Sequence, residues 1–295
     1  MIITVTLNAA LDITYGMTSV AMGDTNRVAR VLERPGGKGL NVARVLHTLG
    51  EPVLACGLLG GGTGEAVRAQ LTLAGIDAAF TPIEGESRRT VVLAEPDRTT
   101  LLNEPGPRVT ADEWQSFLAD FHRLTATAGV VVLSGSLPPG VPVNAYETLA
   151  VACRRAGAGV ILDADGEPLR HGLAGRPDIV KPNAGELFRL GLPAEAVRRA
   201  GATAVVVSRG RDGLLAHTPH GSWTATPPAI TGNPTGAGDA LVAALACGLA
   251  HDWSWPDRLR HGAALSAAAV RAEVAGAFEP ATYRALLPQI RLQPL

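Results

Sequence analysis

The sequence predicts an α/β protein, a mostly parallel sheet sandwiched by helices with a small β-sheet lid. Three observations carry this. After Pro107, continuous runs such as "GVVVLS", "GVILD" and "TAVVVS" alternate with helical patterns, and strands buried on both faces read as unbroken apolar runs. Before Pro107, several segments have the looser alternation of a half-exposed sheet and break that rhythm. Near the C-terminus, "AGDALVAALACGLA" is apolar all round after a single carboxylate, the pattern of a helix buried in a large core.

Each element follows in order. "IITVTL" (2–7) reads as a buried strand, and "YGMTSV" and "TNRVARVLE" as half-exposed strands. "GGKGLNVARVLHTLG" reads as a glycine turn and a helix, with Val42, Val45, Leu46 and Leu49 on one stripe and Gly50 as its stop. "PVLACGLLG" is a strand and "GTGEAVRAQLTLAG" a helix. "RRTVVLAEPDRTTLLNEPG" is a hairpin turning at "EPDRT". A helix at "ADEWQSFLADFHRLTA", a strand over 129–133, a helix at "VNAYETLAVACRRAG" and a strand at "GVILDADG" come next. "DIVKPN" and "TAVVVSRG" add strands, "GLLAHT" and "SWTAT" a hairpin, and the closing helices span 237–250 and roughly 257–272. The two inserts at about 10–36 and 83–105 are assigned to the lid of a single domain, 1–295.

Composition narrows the function classes. A 295-residue chain with 46% hydrophobic and 18% charged residues can bury a substantial core. A net charge of −1, with no block of like charges, disfavours nucleic acid and acidic membrane surfaces as partners. Cys56, Cys153 and Cys247 lack metal-type spacing and read as core thiols in a reducing compartment. No basic region precedes the first apolar run, and no run reaches membrane-spanning length, so a soluble cytoplasmic protein is expected. The first strand is not followed by G-x-G-x-x-G, and the chain has no G-x-x-x-x-G-K-[ST], which disfavours dinucleotide and P-loop enzymes.

In such folds ligands bind beyond the C-terminal ends of the strands, and five polar, glycine- or proline-rich loops fall there: "TLNAALD", "SGSLPPG", "KPNAGE", "SRGRDG" and "NPTGAGD". The first turn of the buried helix offers unpaired N–H groups and the positive end of the helix dipole, an anion site. Asp239, at its edge, reads either as a helix N-cap or as a carboxylate placed for chemistry. Of 26 basic residues only Lys38 and Lys181 are lysine, both beside glycine or proline, which suggests compact ammonium groups facing phosphate. Glu186 also reads as a helix cap, Asn103 and Glu104 as a hairpin exit, and Asp163 and Asp165 as strand-end structural groups. Arg88 and Arg89, adjacent in a strand, must face opposite ways.

Together, "TLNAALD", "GGKGLNVARVLHTLG", "NEPG", "SGSLPPGVP", "KPNAGE" and "GAGD" resemble, in order and over nearly the whole chain, the PfkB or ribokinase-like carbohydrate kinases. The likeness is greatest to the 1-phosphofructokinase and tagatose-6-phosphate kinase branch. It implies a ribokinase-like fold and transfer of the ATP γ-phosphoryl group, with Mg²⁺, to a sugar hydroxyl. By that resemblance Asp239 is the catalytic base, and Gly236, Ala237 and Gly238 form the anion hole. Asp12, Gly37, Asn41 and Asn103 match positions around the sugar. Lys38, Arg27 and Arg88 are assigned to the sugar's own phosphate, converging away from Lys181 and Glu186. Lys181, Asn183, Ser208, Gly210 and Gly213 match nucleotide positions, and Glu186 the Mg²⁺ position. The expected substrate is a phosphorylated ketohexose, fructose 1-phosphate first, then tagatose 6-phosphate or fructose 6-phosphate; the alternatives are a sugar- or nucleotide-sensing protein of the same fold without turnover, or a kinase for an unphosphorylated sugar or nucleoside. The expected assembly is a homodimer through the lid. Departures are Ala9 for a usual proline, Pro234 for a usual hydroxyl residue, a short segment after Leu190, and "EVAGAFEP" without the usual glycine–threonine turn.

Overall fold

The computed structural model describes residues 1–96 and 98–295. The turn expected at "EPDRT" includes Asp97, outside the described residues. In chain order the strands are β1 (Ile2–Thr6), β2 (Ala10–Gly16), β3 (Arg30–Gly36), β4 (Val53–Gly60), β5 (Asp77–Ile83), β6 (Arg88–Ala94), β7 (Thr99–Asn103), β8 (Val130–Ser134), β9 (Gly159–Asp163), β10 (Ile179–Val180), β11 (Ala204–Ser208), β12 (Leu214–Thr218), β13 (Gly221–Thr226) and β14 (Arg291–Pro294). The helices are α1 (Lys38–Thr48), α2 (Gly61–Leu73), α3 (Ala111–Thr125), α4 (Ala145–Arg155), α5 (Gly166–Gly172), α6 (Ala184–Leu190), α7 (Ala194–Arg199), α8 (Ala237–Ala250), α9 (Trp255–Val270) and α10 (Pro280–Leu286).

The main sheet runs β14-β13-β12-β11-β10-β9-β8-β1-β4-β5. From β5 to β11 every neighbour pair is parallel, and from β11 to β14 every pair is antiparallel. Alternate residues of one strand enter different cores. Val130 and Val132 join the core with α1, α8 and α9, while Val131 and Leu133 join the one with α3 and α4. This two-sided burial is why the strands read as unbroken apolar runs. The helix α8 packs between α1 and α9 against β8 and β9, and Ala240–Cys247 are essentially inaccessible. Such a helix has a fixed first turn, which matters for the site.

The lid is a separate sheet, β3-β2-β6-β7, built from the two expected inserts. Its strands sit differently from the sequence reading. The first lies at Ala10–Gly16 rather than 15–20, and the second starts at Arg30, so residues 17–29 form a connection. Two edge strands were not expected. β5 contains Pro82, tolerated at an edge because its missing N–H faces no partner. β14 is polar and short, and takes its strand form from pairing with β13. Short helices α6 and α7 occupy the segment after the "KPN" turn.

Candidate active site

The C-terminal ends of β1, β8 and β9, the start of α1 and the lid enclose a cleft of about 690 Å³. Gly37, Lys38, Arg88, Asn103 and Glu186 line it, with Thr6, Asn8, Ser134, Ser136 and Asp165. Two helices begin at this edge with glycine N-caps, α1 at Gly37 and α8 at Gly236, and among the described residues no side chain caps either one. Gly236 has φ 85°, left-handed backbone that glycine adopts without strain. The Ala237 N–H turns back to the Pro234 carbonyl at 3.2 Å.

Asp239 is not the N-cap of α8. It is the third helical residue, 7% exposed, and its Oδ2 accepts from Asn41 Nδ2 at 2.7 Å. Burial, and then the nearby Asp163 charge, push its pKa up to about 6, against the Asn41 hydrogen bond and the cations Lys38 and Lys181. Asn41 comes from the first turn of α1, so the packing of α1 on α8 is what joins these two groups.

Both lysines meet on one carboxylate. Asp163, at the end of β9, is fully buried, and its Oδ1 lies 3.1 Å from Lys38 Nζ and 3.3 Å from Lys181 Nζ. Burial opposes the Asp163 charge, yet Lys181 and Lys38 outweigh it and hold its pKa below the usual value. Burial likewise works against the Lys38 charge, but Asp163, Glu186 and Asp239 outweigh it and raise its pKa. Lys38 Nζ also lies 3.6 Å from Glu186 Oε1. A Cβ added at Gly238 would stand 3.5 Å from Lys181 Nζ, which puts that ammonium beside the α8 turn.

The expected convergence of Lys38, Arg27 and Arg88 away from Lys181 and Glu186 is therefore corrected. Lys38, the first residue of α1, extends its ammonium to Asp163 at the end of β9 and to Glu186. Arg27 is exposed in the 17–29 connection and does not line the cleft. Of the three, Arg88 alone stands on the lid side of the cleft, its Nε donating to the Asn8 carbonyl at 3.0 Å. Arg89 faces the other way and pairs with Glu104 at 3.2 Å.

The lid presents a row of polar groups. Asp12 on β2 pairs in register with Thr90 on β6, and Thr90 with Asn103 on β7, so the three share one face. Burial raises the Asp12 pKa, against a Thr90 hydrogen bond and the charges of Arg44 and Arg88. Asp12 lies inside β2 rather than in a loop after β1, and a Cβ on Gly36 would fall 2.1 Å from its carboxylate.

At the far end, Asn183 and Glu186 form a reciprocal capping box on α6, each side chain accepting from the other's backbone N–H at 2.8 Å. Glu186 thus caps a helix with Oε2 and turns Oε1 toward Lys38. Ser208 bridges to Asn183, its N–H donating to the Pro182 carbonyl at 3.0 Å. Gly210 and Gly213 frame the tight turn after β11. Neither they nor Ser208 line the cleft. Among the described residues no cluster of three or more His, Cys, Asp or Glu could hold a metal ion. Glu186 Oε1, which faces Lys38 and is not used in the cap, still suits Mg²⁺, which keeps several waters and binds through one or two carboxylates plus phosphates.

Two residues escaped the sequence reading. Asp163 reads from sequence as a strand-end structural group, and that place carries no local sign of the two lysines. Arg44 sits one helical turn after Asn41, on the same face, and that i, i+3 spacing was the available signal.

A family model described as pfkB family carbohydrate kinase matches residues 5–282. The chain is also similar to the crystal structure of phosphofructokinase-2 from Escherichia coli in complex with potassium, with 28% identity, TM-score 0.91, and 97% of this chain and 98% of that one covered. The same enzyme in complex with fructose-6-phosphate gives 28% identity, TM-score 0.89 and the same coverage. A possible 1-phosphofructokinase from Thermotoga maritima gives 25% identity, TM-score 0.90, and covers 100% of this chain and 99% of its own. Among the described residues no helix is long and apolar enough to cross a membrane.

Proposed function

The chain belongs to the pfkB family of carbohydrate kinases, and from that premise we propose that it transfers the γ-phosphoryl group of ATP to a hydroxyl of a phosphorylated ketohexose. One observation supports this most: Asp239, a buried carboxylate with a raised pKa, stands at the uncapped N-terminus of α8. A base with a pKa near the working pH accepts a hydroxyl proton efficiently, worth about 10²–10⁴-fold. The backbone of Gly236, Ala237 and Gly238, with Lys181 alongside, suits the charge of the migrating phosphoryl group. With the Ala237 N–H engaged by Pro234, the other N–H groups of the turn are the donors. Asn183, Ser208, Gly210 and Gly213 are proposed for the nucleotide, and Glu186 for Mg²⁺, which would neutralise phosphate charge when bound.

On the sugar side, Asp12, Gly37, Asn41 and Asn103 are proposed to bind hydroxyls and Arg88 the sugar's phosphate. Lys38, at the uncapped start of α1, stands between the two ends of the cleft. Fructose 6-phosphate, bound by the E. coli relative, joins fructose 1-phosphate and tagatose 6-phosphate as acceptors to compare.

The test is ADP formation from ATP and Mg²⁺ with a panel of these phosphates, free fructose and a nucleoside. A higher kcat/KM for a free sugar or nucleoside would defeat the substrate class. Asp239→Asn is expected to lower kcat roughly 100-fold or more while ATP still binds. Full turnover in that variant would remove Asp239 as base. We further propose a homodimer through the lid, supported by the exposed apolar Leu101, which shares the lid face of Asp12, Thr90 and Asn103. Sedimentation at working concentration checks this, and a strict monomer would count against it.

A further inference from the structure

Arg44 does not line the cleft, yet it touches Asn41 and three parts of the site meet on it. Its Nη2 donates to Asn41 Oδ1 at 2.6 Å and to the Ala275 carbonyl at 2.7 Å, and its Nη1 donates to the Pro35 carbonyl near the end of β3. The Ala275–Gly276 backbone lies against both this guanidinium and the α8 turn. A Cβ on Gly276 would stand 2.7 Å from Arg44 Nη2, and one on Gly236 would stand 2.7 Å from the Ala275 Cα. Pro35 precedes Gly36, which lies under the Asp12 carboxylate.

The chemistry of the donors gives this contact a direction. A guanidinium has no acceptor. Asn41 must therefore turn its carbonyl oxygen to Arg44, which leaves its NH₂ group to donate to Asp239 at 2.7 Å. With the amide reversed, a carbonyl oxygen would face the Asp239 carboxylate and an NH₂ group would face the guanidinium, and both hydrogen bonds would be lost.

We propose that Arg44 is a positioning residue for phosphoryl transfer: it locks the Asn41 amide in the one orientation that holds the Asp239 carboxylate. This rests on the reading of Asp239 as the base. Arg44 acts through Asn41, without contact to the reacting atoms.

The test uses the full-length protein with its best acceptor. Arg44→Met removes the donors while keeping much of the apolar stem. It is expected to lower kcat about 10-fold, the size of one lost hydrogen bond to an oriented group, with KM for ATP within about twofold. The acid limb of kcat is expected to move to higher pH, since Asp239 loses a fixed donor and a nearby cation. The other groups facing Asp239 are Asp163 on β9, Lys38 on α1 and Lys181 after β10, and Asp12 and Arg34 flank Arg44 from the lid. All five stay in place in the variant. In an Asn41→Ala background the same substitution is expected to cause no further loss of kcat, because its route is already cut.

Multiplicative losses in the double variant, or an unmoved acid limb in folded Arg44→Met, would overturn the proposal. Should Arg44→Met fail to fold, Arg44→Lys carries the same cycle, since it keeps a charge and a donor but loses the fork that reaches three acceptors. Full turnover in Asp239→Asn would instead overturn the base reading beneath it. Loss there with wild-type kcat and acid limb in Arg44→Met would overturn the role of Arg44 alone.

Discussion

The two sides of the site are built on opposite principles. On the main sheet, behind the residues that line the cleft, lies a set of buried charges: Asp163 at 1% exposure, Lys181 at 3% and Asp239 at 7%, backed by the apolar helix α8. The wall on the lid is a thin sheet whose polar row, Asp12, Thr90 and Asn103, depends on strand register, and whose β7 is exposed along its length. A buried charge is held by its partners and is costly to strand, whereas a lid residue can change with little effect on the fold. The groups proposed for proton and phosphoryl transfer are on the rigid wall, and Arg88, proposed for sugar recognition, is on the other.

Asp163→Asn should break the rigid wall most severely. It leaves Lys38 and Lys181 near one another without their shared counter-charge. Removing one partner of a buried ion pair costs on the order of 3–5 kcal/mol. Denaturant unfolding at pH 7 checks this, and a loss within that of an ordinary surface substitution would show that the cluster is well solvated.

Asp239→Asn should move stability the other way. The native pKa, near 6 against 3.8 unperturbed, means that the ionised carboxylate costs the fold about 3 kcal/mol. That contribution to stability is intact below pH ~4 and is lost as pH rises through ~6. The variant should therefore be more stable than wild type at pH 8 and match it near pH 4, in parallel melting curves. A variant less stable at pH 8 would mean that Asp239 is chiefly structural.

The lid should respond in recognition rather than stability. Arg88→Ala is expected to lower kcat/KM for the sugar phosphate roughly 10- to 100-fold, the worth of a charged hydrogen bond. Turnover of free fructose, KM for ATP and Tm should hardly change. An equal loss for fructose would sink the phosphate assignment.

The smallest effect is expected at the capping box on the rigid wall. Asn183→Ala should cost about 1 kcal/mol of stability. A much larger loss of ATP binding than of stability would mark Asn183 as a nucleotide contact beyond its cap.

Much of this is legible in local sequence pattern. The runs "GVVVLS" and "TAVVVS" announced strands covered on both faces, because alternate residues have to fill two different cores. The all-apolar α8 announced a fixed helix start. Register was not legible. "YGMTSV" reads as well as "ALDITYG" for a strand, and only pairing with β3 and β6 selects the latter, placing Asp12 beside Thr90. The edge strands β5 and β14 carry weak local signals and exist because a neighbour supplies their hydrogen bonds.

Local sequence pattern and composition account for the α/β class, the two-insert lid, the rarity of lysine, and the glycine turn before Asp239. Each is a matter of local pattern or composition, and local rules suffice to read it. Tertiary structure alone decided that Lys38 and Lys181, 143 positions apart in the chain, share Asp163. It also decided that Asn41 reaches Asp239, and that Arg27 lies off the cleft. Which charges meet depends on the direction in which α1 and α8 leave the sheet and on strand order. A buried charge then takes whatever partner the packing brings within about 3 Å, since leaving it unpaired costs more than almost any other local choice.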